Sequence, residues 1–293
     1  MPEQPAPQPR PADASEPVTL TLGHLYPDQL NIYGDRGNII TLRQRCAWRG
    51  ITLRVVALGL GDVLVPDAYD LLFIGGGQDK EQDEVAADLR TTKAAGLWAA
   101  VEDGMPVLAV CGGYQLFARS YRPAEGPVLK GVGIFDAETI HRGKRVPRCI
   151  GNIAIRWAES TIVGFENHGG RTYLGAGAKP LGRVLAGHGN NSQDHGEGAV
   201  YRNTYGTYIH GSLLPKNPHL ADHLLLLALQ RRAGPTSALA PLDDSAEWRA
   251  HETMLRRLGV TPLARPAAPQ EPASGSPTPA PPARDQPDYS VRA

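Results

Sequence analysis

The stretch VLAVCGGYQLF, residues 107–117, decides the reading of this chain. Four apolar residues run into Cys111, two glycines follow, and a helical pattern begins. A short uninterrupted apolar run is the pattern of a strand buried on both faces of a parallel sheet. A cysteine on the sharp turn from such a strand into a helix is exposed at the carboxyl end of the sheet, where open α/β sheets bind ligands. The free N–H groups and dipole of a helix start favour a thiolate. Small neighbours, Ala109 before and Gly112 and Gly113 after, let the backbone turn tightly. The alternative is a plain core cysteine at a strand end.

Upstream of this turn the chain alternates between strand and helix patterns. Strands are expected at 18–26, 51–58, 69–77 and 106–110. A helix capped by Asn38 and stopped by Gly50 fills the first gap, and a helix over 82–102 fills the last. Such alternation implies a mostly parallel central sheet flanked by helices. The second half is richer in strands: GVGIFDAETI (131–140), CIGNIAIRW (149–157), TIVGFENH (161–168) and AVYRNTYGTYIHG (199–211). Helices are expected at 217–232 and 244–258, the latter with Trp248, Met254 and Leu255 roughly on one face, either as a lid on the sheet or as a docking element. Residues 1–17 and 263–293 are rich in Pro and Ala and are expected to be disordered tails, leaving a folded body at 18–262.

Composition excludes several classes. The 293 residues are 41% apolar, enough for a sizeable core, and the formal net charge is zero. A zero net charge argues against a dedicated nucleic-acid binder, which needs a basic surface. No apolar run is long enough for a membrane span and the N-terminus lacks a secretory pattern, so a cytoplasmic location is expected. Three cysteines, Cys46, Cys111 and Cys149, without a CxxC pair make neither a disulfide framework nor a structural zinc site. A nucleophile is the remaining special use of a thiol here.

Two further stretches fit that use. The run Ile74-Gly75-Gly76-Gly77-Gln78-Asp79 follows an apolar strand. The N–H groups of Gly75, Gly76 and Gly77, together with that of Gly112, could form an oxyanion hole for acyl transfer. A phosphate loop is the competitor, but the GxxxxGK[ST] spacing is missing. The run YGTYIHG (205–211) delivers His210 to a strand end beside a glycine. A thiol nucleophile needs a base to take its proton and to protonate the leaving amine. His168 competes with His210 for this role, and His188 and His195 stand further back.

Together these residues resemble class I glutamine amidotransferases, with their flavodoxin-like α/β fold, in the cobyric-acid-synthase-like branch. The strings YPDQLNIYGDRGNI (26–39), IGGGQDKEQ (74–82) and GFENHGGRTY (164–173) are similar to the GatD glutaminase subunits of lipid II isoglutaminyl synthase. The resemblance spans about 18–232. It implies that Cys111 attacks the side-chain amide of glutamine, that His210 shuttles the proton, and that Gly77 and Gly112 supply oxyanion N–H groups. It also implies an arginine that binds the substrate glutamine, matched best by Arg148, with Arg145 as competitor. His168 becomes a structural or rim residue. Many class I enzymes carry a glutamate two residues after the histidine, where this chain has Ser212. The resemblance implies that the third, acidic group comes from a Mur-ligase-like MurT partner. That partner would also bind ATP, since no Walker loop and hence no cofactor site is read in this chain. It would use the ammonia to amidate the α-carboxyl of D-glutamate in lipid II.

Overall fold

The computed structural model describes residues 18–30, 35–77, 79–210, 213–263 and 265, without the side chains of residues 79–81. Apart from residues 263 and 265, both expected tails lie outside the described residues, as does Ser212.

Six strands form the central sheet: β1 (Thr19–Leu25), β2 (Thr52–Leu58), β3 (Leu71–Ile74), β4 (Val107–Val110), β13 (Ala199–Tyr201) and β14 (Thr204–Thr207). Their order is β13-β14-β4-β3-β1-β2, parallel throughout except for the β13–β14 pair. Every residue of β3 and β4 is buried, which is why both read as unbroken apolar runs. The chain steps from β1 outward to β2 through α1 (Arg36–Ala47). It then steps the opposite way, from β3 to β4, through α2 (Asp79–Asp88) and α3 (Ala94–Glu102). Right-handed crossovers in opposite directions put these helices on opposite faces and leave a switch point between β1 and β3. The loops beyond the carboxyl ends of β1, β3, β4 and β14 therefore surround one crevice.

The second half adds two smaller sheets. One has the order β10-β7-β5-β6, from Gly170–Leu174, Ala137–His141, Ser120–Arg122 and Leu129–Lys130. The other has the order β12-β11-β8-β9, from Gly196–Glu197, Gly182–Ala186, Cys149–Trp157 and Ser160–His168. The short helix α4 (Gly112–Phe117) follows Cys111, and α5 (Pro218–Ala233) and α6 (Ser245–Arg257) close the described chain.

Four local expectations change. Asn38 is not the cap of the first helix: α1 starts at Arg36 after Asp35, and the Asn38 Oδ1 accepts from the Leu214 N–H at 2.9 Å. The helix expected over 82–102 starts at residue 79 and is interrupted by a π-helical turn, Leu89–Lys93, which turns Lys93 inward onto Asp88 at 2.6 Å. Of GVGIFDAETI only its last residues are strand. AVYRNTYGTYIHG is a hairpin that turns at Arg202, whose φ is 50°, rather than one strand. Helix α6 is a lid: Leu255 packs on Ala154 and Val163, and the His251 Nε2 lies 2.7 Å from the Thr161 hydroxyl. A buried salt-bridge cluster fixes its approach. The Arg45 guanidinium of α1 grips Asp222 of α5 at 2.7 Å and Asp244, just before α6, at 2.6 Å.

Candidate active site

Cys111 sits between β4 and α4 with φ 50° and ψ −105°, a conformation that L-residues seldom adopt and that marks functional turns. Its N–H donates to the Thr207 carbonyl at 2.8 Å, continuing the β4–β14 ladder by one bond. Its carbonyl accepts from the Gln115 N–H at 3.0 Å, closing the first turn of α4. The Gly113 N–H donates to the Gly75 carbonyl at 3.0 Å. A side chain at 113 would push a Cβ to 2.9 Å from that oxygen and to 2.8 Å from the Ile74 side chain, so glycine is required by close approach. Cys111 is mostly covered, at 7% exposure.

The glycine loop lies against this turn. A Cβ on Gly76 would stand 3.0 Å from the Cys111 Cβ, and a Cβ on Gly112 would stand 2.9 Å from the Gly77 nitrogen. The Gly77 and Gly112 backbones thus converge beside the thiol. Gly76 does not share that arrangement: its N–H donates to the Asp35 Oδ2 at 2.7 Å, which takes it out of the oxyanion set expected from the sequence. Burial pushes the Asp35 carboxyl up to about 7, against the opposing pull of that hydrogen bond. Gln82 of α2 spans the two halves of the site, its Nε2 lying 3.4 Å from the Gly77 carbonyl and 3.3 Å from the Gln115 Oε1.

His210 stands three residues beyond β14 and is fully buried. A two-residue antiparallel bridge fixes its backbone: the His210 N–H donates to the Phe165 carbonyl at 2.8 Å, and the Phe165 N–H returns at 3.3 Å. The imidazole packs edge-on to the Phe165 ring and is hydrogen-bonded to the Asn167 backbone. Burial, with smaller contributions from His168 and Arg148, lowers its pKa to about 4; Asn167 and the Glu166 carboxylate act the other way. His210 is therefore a neutral imidazole at pH 7, the form a general base requires.

Asn167 also anchors Arg148, which donates through Nε to the Asn167 Oδ1 at 3.0 Å and through Nη2 to its carbonyl at 3.1 Å. The guanidinium and the imidazole thus share one residue of support, and it is Arg148 rather than Arg145 that makes these bonds. His168 is not at the rim. It is buried, stacks on Tyr208 with ring centroids 3.7 Å apart, and its Nδ1 lies 2.8 Å from the Gly170 carbonyl. His188 and His195 are exposed. Glu166 is held by the N–H groups of His188 at 2.6 Å and Gly189 at 3.0 Å, and its Oε2 lies 3.5 Å from the His168 Nε2. Among the described residues no group of three His, Cys, Asp or Glu side chains could hold a metal ion. Among them also, no helix is long and apolar enough to cross a membrane.

Sequence reading missed Asp35, Gln82, Glu166 and Asn167 as parts of this site. Each lies inside a string that carried the resemblance, but polar residues in loops have no periodicity that assigns them a partner. Only the folded chain brings Asp35 to Gly76, or Asn167 to Arg148 and His210.

Residues 21–218 match the model of the CobB/CobQ-like glutamine amidotransferase domain. The chain is 43% identical over 239 residues to the lipid II isoglutaminyl synthase (glutamine-hydrolyzing) subunit GatD of Staphylococcus aureus, covering 81% of this chain and 96% of the relative. It is 39% identical to the subunit of the same name from Streptococcus pneumoniae, covering 79% of this chain and 89% of that one. A cobyric acid synthase of Pelotomaculum thermopropionicum is 31% identical over 71% of this chain and 44% of its own length. Cys111 on its strained turn and the two converging glycine backbones thus lie in a chain that belongs to the CobB/CobQ-like glutamine amidotransferase family, on its GatD branch.

Proposed function

We propose that this chain hydrolyses L-glutamine through Cys111 and His210 and passes the ammonia to a synthetase subunit. The observation that carries this reading is the bond from the Cys111 N–H to the Thr207 carbonyl, which makes the nucleophile and the segment bearing His210 neighbours at one sheet end. His210 takes the thiol proton, and the thiolate attacks the side-chain amide carbon of glutamine. The oxyanion of the tetrahedral intermediate lies toward the N–H groups of Gly77 and Gly112. His210 returns the proton to the nitrogen and ammonia departs, leaving a γ-glutamyl thioester on Cys111. Water then attacks the thioester with His210 as base, releasing glutamate and restoring the thiol. Arg148 pairs with the substrate carboxylate at the mouth of the crevice.

The names of the GatD relatives support lipid II as the destination of the ammonia, a step we assign to peptidoglycan synthesis in the cytoplasm. The word subunit in those names supports a second chain, which we assign to a MurT-type, Mur-ligase-like synthetase that binds ATP and activates the acceptor carboxylate. Its acidic group would complete the histidine site. The test is labelling with diazo-oxo-norleucine alongside glutaminase assays of the chain, alone and with the co-purified synthetase. Cys111 is expected to be modified, and Cys111→Ala to lose both labelling and turnover. Equal glutaminase rates with and without the second chain would remove the need for a partner's acidic group. Absence of labelling in the complex would sink the nucleophile assignment.

A further inference from the structure

We infer that Asp35 is a positioning residue for the oxyanion hole: its carboxylate clamps the glycine loop through the Gly76 N–H and so aims the Gly77 N–H at the reacting carbonyl. This rests on the glutaminase reading above. Asp35 occupies the N-cap position of α1, where an aspartate ordinarily accepts from its own helix, yet it makes no side-chain capping bond. It reaches instead across 41 positions of sequence to Gly76, at 2.7 Å. A bond of that length is at the short end for an N–H donor to a carboxyl oxygen, and it is made out of reach of water.

The fit around this bond is close. A Cβ on Gly75 would stand 3.0 Å from the Asp35 Oδ2 and 2.4 Å from the Leu30 carbonyl, and a Cβ on Gly77 would stand 2.3 Å from the Leu30 side chain. The loop is therefore pressed between the carboxylate, the Leu30 turn and Cys111. The clamp holds the 75–76 peptide, which leaves only the two torsions of Gly76 between it and the Gly77 N–H. Whatever charge this carboxyl carries does nothing to favour a thiolate, so its value is geometric. Asp35 is 1% exposed, and its Oδ1 is buried with no hydrogen-bond partner among the described residues. An acceptor kept out of water at that cost, when the helix could have used it, fits a site requirement better than a stabilising one.

The experiment uses the chain with its synthetase partner and compares wild type, Asp35→Ala and Asp35→Asn. It reads kcat and KM for glutamine, and the rate of Cys111 alkylation by iodoacetamide, a substitution at a saturated carbon that needs no oxyanion hole. Asp35→Ala is expected to lower kcat by about 100-fold, the effect of losing one oxyanion donor, with KM changed less than about threefold. Asp35→Asn, which keeps a neutral acceptor, should fall between the two. Alkylation should stay within about threefold of wild type in both variants. A kcat for Asp35→Ala within threefold of wild type overturns the inference, as does a parallel loss of turnover and alkylation, which would mean a collapsed site. If Asp35→Ala does not fold, Asp35→Asn decides by the same two readouts. A wild-type complex that alkylates normally but turns over no glutamine would overturn the function reading itself, and the clamp with it.

Discussion

The Cys111 N–H donates to the Thr207 carbonyl at 2.8 Å, so the proposed nucleophile and the chain that runs on to His210 leave the sheet one hydrogen bond apart. That single bond converts a separation of nearly a hundred residues in sequence into a pair of neighbouring strand ends. The glycine backbones beside Cys111, the arginine that shares Asn167 with His210, and two buried carboxyls, Glu197 and Asp222, each make a measurable claim.

Adding one methyl group at Gly112 should separate the two proposed oxyanion donors. Its Cβ would meet the Gly77 nitrogen at 2.9 Å and the Gln82 Nε2 at 3.1 Å. Gly112→Ala is expected to lower kcat for glutamine by about 100-fold. Thermal stability should fall as well, because the added Cβ can be relieved only by moving the backbone of one of the two loops. A variant that keeps wild-type kcat would show that these two N–H groups do not act together.

The acid limb of the pH–rate profile should lie well below pH 6.5. Burial holds His210 near 4, so the imidazole stays neutral as pH falls through the range where an exposed histidine takes up a proton. Measured as kcat/KM for the complex between pH 4.5 and 8, activity should persist at pH 5.5. An inflection at 6.5 or above would mean that exposure, or the partner's acidic group, lifts the imidazole above this range in the working enzyme.

Arg148 and Arg145 should separate kinetically. Arg148→Ala removes the bonds to the Asn167 side chain and carbonyl, together with the carboxylate partner proposed for the substrate. The KM for glutamine should rise by about 30-fold, the value of roughly 2 kcal/mol for one charged hydrogen bond. Arg145→Ala should change it less than threefold. The reverse ranking would exchange the two assignments.

Glu197 should make the fold weaker in alkali. It is fully buried, accepting from the Tyr208 N–H at 2.7 Å, and desolvation raises its carboxyl from 4.5 to about 8. The folded state therefore holds this proton longer than the unfolded state does. Its stabilising contribution is complete below pH 4.5 and is lost as pH rises through about 8. Glu197→Gln, neutral at every pH, should show a smaller fall in Tm between pH 5.5 and 9 than wild type. Parallel Tm curves for the two proteins would refute this.

Asp222→Ala should be the most damaging of these changes to stability. Asp222 accepts from Arg45 and Arg49, whose side chains are 1% and 3% exposed, and its loss leaves both short of a partner. Breaking such a buried pair from one side costs about 3–5 kcal/mol. Denaturant titration should show it as a lower midpoint at unchanged slope.

The sequence was most legible where one physical rule dominated. Strands β3 and β4 are buried on both faces, so their apolar runs could mean little else, and the cysteine between a strand and two glycines pointed to its own turn. Helices α5 and α6 were placed within a residue at each end, from apolar spacing and flanking breakers. The hairpin at Arg202 was hidden because the positive φ falls on Arg202, a residue that seldom takes it, and Asn203 stands alone as a turn former beside a run of β-formers. The π-helical turn was hidden because Lys93 looks like a surface lysine until Asp88 and the Tyr26 hydroxyl, which also bonds to Asp88 at 2.7 Å, are beside it. The role given to Gly76 failed for a similar reason. A glycine's spare N–H is visible in sequence, but the carboxylate that claims it comes from a loop forty residues away.

The backbone at Cys111 bears on how such a protein can be improved. A side chain held at φ 50° and ψ −105° costs of order 1–3 kcal/mol, and glycine would relieve most of it. A screen that rewards heat resistance alone would therefore tend to collect glycine at position 111 and discard the thiol. Stabilised variants of this chain should be selected under a demand for turnover, so that this strained thiol is kept.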